Sequence, residues 1–422
     1  MPHDMPLITT MAVGLAIAFV LGLVAHRLRM PLIAGYLAAG VIIGPFTPGY
    51  VADQDIAAQL AEMGVILLMF GVGLHFSVKD LMSVKGIAVP GALVQIAVAT
   101  AAGALLGWLL GWGIGGGLLF GLALSVASTV VLLRALQERD LITTEKGRIA
   151  VGWLIVEDLV MVLALVLIPP LAGLLGGQEQ PPDAVTAQVA QYGPGTVGAT
   201  ILVTFAKVAA FVAIMLVVGR RVIPWALEFA ANTGQRELFR LAVLAIALGV
   251  AAGAAAVFGV SLALGAFFAG MVMAGSTLSA QALKDTLPFR DAFAVLFFVS
   301  VGMLFDPTVL WEQPFSVMVT VLIIIGVKSA AAFGIVRAFG HDRTTGLTIA
   351  AALAQIGEFS FILIVMGVKL DIVPTDARDL VVAGALISIL VNPLLFRMLF
   401  APNAPEGAKA EPEIEAEADA RA

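Results

Sequence analysis

Gly152-Trp153-Leu154-Ile155-Val156-Glu157-Asp158-Leu159-Val160-Met161-Val162-Leu163 sets two adjacent carboxylates inside an apolar run that starts after Arg148 and stops at Pro169-Pro170. About 20 predominantly apolar residues cross a bilayer, so this run spans one with its acids near mid-membrane. One ionised carboxylate at that depth costs about 2.5–3.5 kcal/mol on insertion scales, and charged neighbours also repel each other. Packing alone does not require that cost. An intramembrane acid pair is a transport-site hypothesis by default, weighed here against a buried structural pair.

The rest of the chain fits a membrane setting. Its 422 residues are 60% hydrophobic and 12% charged, with a mean hydropathy of +1.04, where soluble domains carry about 25% charge. The fold class expected is an all-α polytopic membrane protein. There is no cysteine, so disulfides, thiol chemistry and Cys-based metal sites are excluded. The net charge of −6 carries little weight, because Glu406, Glu411, Glu413, Glu415, Glu417 and Asp419 crowd the last residues. Residues 6–25 resemble a secretory leader, but no Lys or Arg precedes them and His26, Arg27 and Arg29 follow. The expectation is a first span with its N-terminus outside.

Apolar runs broken by Gly, Pro and charge clusters give thirteen candidate spans. They lie near 6–25, 31–47, 57–75, 86–110, 113–136, 147–170, 196–219, 237–257, 259–275, 288–306, 313–337, 344–368 and 378–399. The second and ninth are short and interrupted by Gly or Pro. Loop charge supports the count. With the N-terminus outside, the outer loops hold only Lys369 and Arg378, Lys207 and Lys328 fall inside spans, and every other basic residue lies on the cytoplasmic side. The segment 176–195 is the one sizeable outer loop, and the chain after Phe400 reads as disordered.

An odd count permits an inverted repeat of six spans, a linker span and six more. Helix-breaking signals then fall in matching places. Span five holds Ser125, Ser128 and Thr129, and span twelve holds Gln355, Gly357 and Glu358. Each set reads either as ordinary polar residues tightening helix contacts or as the interruption of a helix whose freed carbonyls and hydroxyls line a cation site. Glu358 itself reads as compensation for a half-helix N-terminus or as a second titratable group.

Adjacent residues on a helix point about 100° apart, so only one acid of the pair faces a given cavity. Asp158 is assigned as the carrier of cation or proton in turn, with Glu157 beside it in the site. A mid-membrane carboxylate can hold a dehydrated monovalent cation or a proton, but hardly both, which is the minimum physics of exchange. Lys328, deep in span eleven, is expected to pair with one of these acids rather than to snorkel to the interface. Lys207 and Gln95 read as structural polar groups. His26, His75 and His341 sit at span ends and read as ordinary interfacial histidines. Gly193-Pro194-Gly195-Thr196-Val197-Gly198 matches G-x-G-x-x-G but follows no strand, so no nucleotide cofactor is assigned. Walker A, H-E-x-x-H and G-x-S-x-G patterns do not occur, which argues against an ATP-driven pump and a membrane protease, and the chain is not expected to be an enzyme. No nucleic-acid partner is indicated.

Several pieces together resemble the monovalent cation:proton antiporter-2 family, in particular the membrane domain of Kef-type potassium efflux proteins. They are Tyr36-Leu37-Ala38-Ala39-Gly40-Val41-Ile42-Ile43-Gly44-Pro45, Leu68-Met69-Phe70-Gly71-Val72-Gly73-Leu74, Ser125-Val126-Ala127-Ser128-Thr129, Val156-Glu157-Asp158, Lys328 and Gln355-Ile356-Gly357-Glu358-Phe359. The resemblance implies an NhaA-type fold in which spans five and twelve unwind and cross. It implies a homodimer in which a core domain moves against a dimerisation domain. The division would then be 1–110 for dimerisation spans 1–3 and the start of the core at span 4, 111–175 for core spans 5–6, and 176–236 for the outer loop and linker span 7. Residues 237–312 would hold dimerisation spans 8–10, 313–400 core spans 11–13, and 401–422 the acidic cytoplasmic tail. It further implies ion binding at Asp158 and a Glu157 held by Lys328.

Two departures stand out. Kef proteins look to carry Gln where this chain has Glu157, which moves it toward two-acid antiporters and leaves stoichiometry open. They also carry a C-terminal nucleotide-binding regulatory domain, absent from this chain, so a truncated form or a differently regulated relative is expected. The function expected is exchange of K⁺, favoured over Na⁺, for H⁺ across an inner membrane by elevator-like alternating access. A gated potassium channel and a sodium-coupled organic anion symporter are the alternatives; the missing T-V-G-Y-G filter counts against the first.

Overall fold

The computed structural model describes residues 6–28, 30–75, 78–137, 139–142, 144–178, 184–191 and 195–399. Helices α1 (Pro6–Arg27), α2 (Leu32–Ile43), α3 (Gln54–His75), α4 (Val78–Leu109), α5 (Gly113–Ser125), α6 (Thr129–Gln137) and α7 (Glu145–Leu171) form the first half. Helices α8 (Ala184–Gln191), α9 (Gly195–Ile214) and α10 (Arg220–Asn232) lead to the second. That half comprises α11 (Arg236–Phe258), α12 (Leu262–Ala274), α13 (Ser279–Met303), α14 (Val309–Glu312), α15 (Pro314–Leu322), α16 (Lys328–Ala338), α17 (Arg343–Leu353), α18 (Glu358–Lys369) and α19 (Thr375–Leu399).

Among the described residues, ten helices are long and apolar enough to cross a bilayer, or eleven when α17 and α18, bent by 43° at their junction, count as one. Two shorter apolar helices, α2 and α12, lie where the second and ninth spans are expected. The chain is a multi-pass membrane protein, because only helices satisfy every backbone group within a single spanning segment.

Local chemistry sets several boundaries. Thr144 caps α7 by accepting the Gly147 N–H at 3.3 Å, and Ser261 caps α12 by accepting that of Leu264 at 3.2 Å. Gly259 ends α11 with φ 64°, a conformation that favours glycine. Two stretches expected as loops are helical. Residues 184–191 of the outer loop form α8. Arg220 and Arg221 lie in α10, which continues α9 through a π-helical turn at Met215–Gly219. Its buried Ile223, Leu227 and Ala230 fall at i, i+4 and i+7 and give it one apolar face against the bundle. The side chains of His75 and Lys79, residues 193–194 of the glycine-rich match and the tail 401–422 lie outside the described residues.

The helices pack in two groups. In one, α3 lies against α12 and α13, and α2 against α1 and α13; in the other, α4 lies against α5, α7 and α16, and α18 against α5 and α19. Small residues allow this closeness. A Cβ on Gly73 would stand 2.2 Å from the Phe267 carbonyl oxygen in the first group, and one on Gly103 would stand 2.3 Å from Gly121 Cα in the second.

Candidate functional site

The second group is built around two interruptions. The helix α5–α6 opens over Val126-Ala127-Ser128, with Val126 extended at φ −100° and ψ 131°. The pair α17–α18 opens over Ala354-Gln355-Ile356-Gly357, with Gly357 extended at φ −133° and ψ −160°. The breaks meet. Gln355 Oε1 accepts the Ser128 N–H at 2.8 Å, while Gln355 Nε2 donates to the Ser128 carbonyl at 3.2 Å. One amide side chain thus satisfies the Ser128 N–H, which has no helical partner at the break, and adds a second donor to the Ser128 carbonyl, which also accepts the Leu132 N–H at 3.0 Å.

Other freed carbonyls are also capped by buried side chains, as the low dielectric demands. Gln95 Nε2 donates to the Ser125 carbonyl at 2.9 Å, and Gln95 Oε1 accepts from Trp153 Nε1 at 3.3 Å. Asn392 Nδ2 donates to the Ala351 carbonyl at 2.7 Å, and Lys328 Nζ donates to the Gln355 carbonyl at 2.9 Å. Lys328 follows a π-helical turn at Ile323–Val327. Asn392 escaped sequence reading because its partner is a backbone group 41 residues away. Gln95, expected as a structural polar group, caps the first break, a partner that only the tertiary structure supplies.

Each acid has a distinct environment. Glu157, fully buried, accepts the Ala127 N–H on Oε2 at 2.8 Å, and its Oε1 has no hydrogen-bond partner. Asp158, 6% exposed, accepts the Thr129 hydroxyl on Oδ2 at 3.3 Å, and its Oδ1 has no partner. Glu358, 3% exposed, accepts the Ser128 hydroxyl on Oε2 at 3.3 Å. The expected charge pairing of Lys328 takes a different form. Its ammonium bonds a carbonyl and acts on Glu157 through space. No contact ion pair joins them among the described residues, because the freed Gln355 carbonyl claims the ammonium first.

A cavity of about 1070 Å³ reaches this crossing. Exposed His26, Arg134 and Gln137 line it together with buried Asp158, Glu358 and, beside Asp158, Thr129. Its walls come from α2, α3 and α13 of one group and from α6, α7 and α19 of the other. Asp158 lines it; Glu157 and Lys328 do not. Of the residues singled out in sequence, Ser128, Thr129, Gln355, Gly357, Glu157, Asp158, Lys328 and Glu358 converge on the crossing. Ser125 stands at the edge of the first break, its hydroxyl turned back to the Leu122 carbonyl at 2.7 Å.

The sodium/hydrogen exchanger transmembrane family model matches residues 15–401. The chain belongs to the sodium/hydrogen exchanger family. Within it, the chain is 58% identical over 399 residues to the protein named "Putative cation/proton antiporter YbaL" of Escherichia coli (strain K12), covering 94% of this chain and 69% of that one. It is 32% identical over 398 residues to K(+) efflux antiporter 4 of Arabidopsis thaliana, covering 94% of this chain and 64% of the relative. The chain therefore spans about two thirds of the length of these relatives. The cation/proton antiporter kinship expected from the motifs stands. The fold matches that of the sodium proton antiporter MjNhaP1 from Methanocaldococcus jannaschii at pH 8, with a TM-score of 0.67 and 17% identity over 94% of this chain and 96% of that one.

Proposed function

We propose that this exchanger-family chain is a secondary antiporter that trades K⁺, in preference to Na⁺, for H⁺, with Asp158 binding cation and proton in turn. The observation that carries the reading is the unpartnered Asp158 Oδ1, buried in a cavity that exposed His26 and Arg134 also line. A buried carboxylate oxygen without a donor is costly unless a proton or a cation occupies it. The name of the Arabidopsis relative supports potassium.

The topology proposed has thirteen crossings, counting α2, α12 and the bent α17–α18 pair, in an inverted repeat of NhaA type. The N-terminus is outside and the C-terminus cytoplasmic in a bacterial-type inner membrane, so the cavity faces the cytoplasm. Spans 4–6 and 11–13 act as the moving core, and spans 1–3 and 8–10 as the dimerisation scaffold of a homodimer. The cavity between the two helix groups supports elevator-like movement. Exchange needs no cofactor and no covalent catalysis.

Proton flux in proteoliposomes with K⁺, Na⁺ or Li⁺ under clamped voltage tests this. Wild type is expected to move protons against K⁺ and Asp158→Asn to be silent. Retained cation-dependent flux in Asp158→Asn removes Asp158 as carrier. Currents far above carrier rates without proton coupling would establish the channel reading instead.

A further inference from the structure

We propose that Glu358, not Glu157, is the second carboxylate of the cation site, so that the transported cation is held between Asp158 and Glu358. The inference rests on the antiport reading and adds to it which acid shares the ion.

The geometry carries it. Ser128 and Thr129 are consecutive at the first break, and their hydroxyls serve different acids: Ser128 Oγ donates to Glu358 Oε2 and Thr129 Oγ1 to Asp158 Oδ2, each at 3.3 Å. Asp158 and Glu358 are thereby drawn to one spot from two separate helices, α7 and α18. Both line the cavity, and Glu157 does not. Asp158 Oδ1 is buried there without a partner.

Glu157 is committed elsewhere. It accepts the Ala127 N–H and lies in the field of Lys328. Lys328 is the one buried lysine among the described residues, so its charge offsets a single acid. Asp158 and Glu358 are left without a contacting cationic side chain among the described ion pairs. Other charged groups on the cavity wall are Arg134 and Arg139 of the α6 region and Arg290 and Asp291 of α13. Arg290 is tied to Asp291 through Nε at 3.1 Å and Nη2 at 2.8 Å, and it bears on Glu358 from across the cavity.

A dehydrated monovalent cation needs several oxygens to replace its water shell, and one aspartate oxygen is too few. Asp158, Glu358 and the two hydroxyls that donate to them supply a set drawn from the first break at Ser128, the start of α6 at Thr129, α7 and α18. A cation held this way bonds both broken helices, so the site forms only when they cross correctly.

The test is cation-dependent proton flux in proteoliposomes containing the whole chain, read as apparent KM for K⁺, Na⁺ and Li⁺ against maximal rate. Glu358→Gln is expected to raise the cation KM by about tenfold or more, with a maximal rate within about threefold of wild type. Glu358→Asp keeps the charge but shortens the reach, and is expected to raise KM less and to shift the K⁺:Na⁺:Li⁺ ratio. Glu62→Gln, an exposed acid of α3 that does not line the cavity, is expected to leave KM unchanged.

An unchanged KM in Glu358→Gln, or a lost maximal rate with unchanged KM, overturns the proposal. If Glu358→Gln does not accumulate as folded protein, an unchanged KM and ion ratio in Glu358→Asp overturns it equally. Wild type without any exchange defeats the antiport reading itself. Active wild type, silent Asp158→Asn and an unchanged KM in Glu358→Gln defeat only this inference.

Discussion

Gly357 lies flat against Ser128: a Cβ on Gly357 would stand 2.5 Å from Ser128 Cα and 2.6 Å from its Cβ. That contact joins the two interrupted helices. The Gln355 amide bonds and the Ser128–Glu358 hydrogen bond all depend on it.

Gly357→Ala must therefore push the breaks apart. Overpacking of this kind costs about 1–3 kcal/mol, and the displaced hydroxyls no longer meet their acids. Transport is expected to fall by about tenfold or more with a lower melting midpoint of the purified protein. Gly249→Ala, whose Cβ would meet nothing within 4 Å beyond its own stretch of helix, is the control expected to leave both intact.

Lys328→Met removes a charged donor from the Gln355 carbonyl and leaves Glu157 uncompensated. A hydrogen bond to a charged group is worth about 1.5–3 kcal/mol, and a loss of that order is expected in denaturant or thermal unfolding. Glu157→Gln in the same chain should restore part of it, with a coupling of about 0.5–3 kcal/mol. Additive effects in the double-mutant cycle would show that the two groups do not interact.

Gln95→Leu and Asn392→Leu test the caps on the broken helices. Each leaves a buried carbonyl without its side-chain donor, at a cost of about 1–3 kcal/mol. Gln95→Leu also deprives Trp153 Nε1 of its acceptor. Gln95→Leu is expected to lower the melting midpoint the more, because Ala351 keeps the Ala354 N–H at 3.2 Å as a second donor.

Asp342 caps α17 by accepting the Thr345 N–H at 3.2 Å, and the Thr345 hydroxyl also donates to it. That hydroxyl, foremost, holds the Asp342 carboxyl down at about 2, below the usual value of about 3.9. A carboxyl lowered on folding stabilises above its unfolded value and loses that contribution as pH falls through its folded value. The cap is therefore complete across neutral pH and fails only on acidification from about 4 to about 2. Asp342→Ala is expected to lower thermal stability at pH 7 and to leave the shape of the transport pH profile between 6 and 9 unchanged. A displaced profile would mean that the cap takes part in transport.

The all-helical, multi-pass character was legible in the chain because bilayer thickness imposes a length on every apolar run. The breaks were legible too, since Ser, Thr, Gln, Gly and Glu interrupt otherwise apolar helices at 125–129 and 355–358. Helix geometry also required that Glu157 and Asp158 point apart, without saying where. Only the tertiary structure decided that Asp158 lines the cavity while Glu157 turns to Ala127, that Lys328 bonds a carbonyl rather than an acid, and that Gln95 and Asn392 cap the freed backbone. The physical reason is that a freed carbonyl in a low-dielectric interior competes for every donor near it. Which donor it takes depends on helices far apart in sequence.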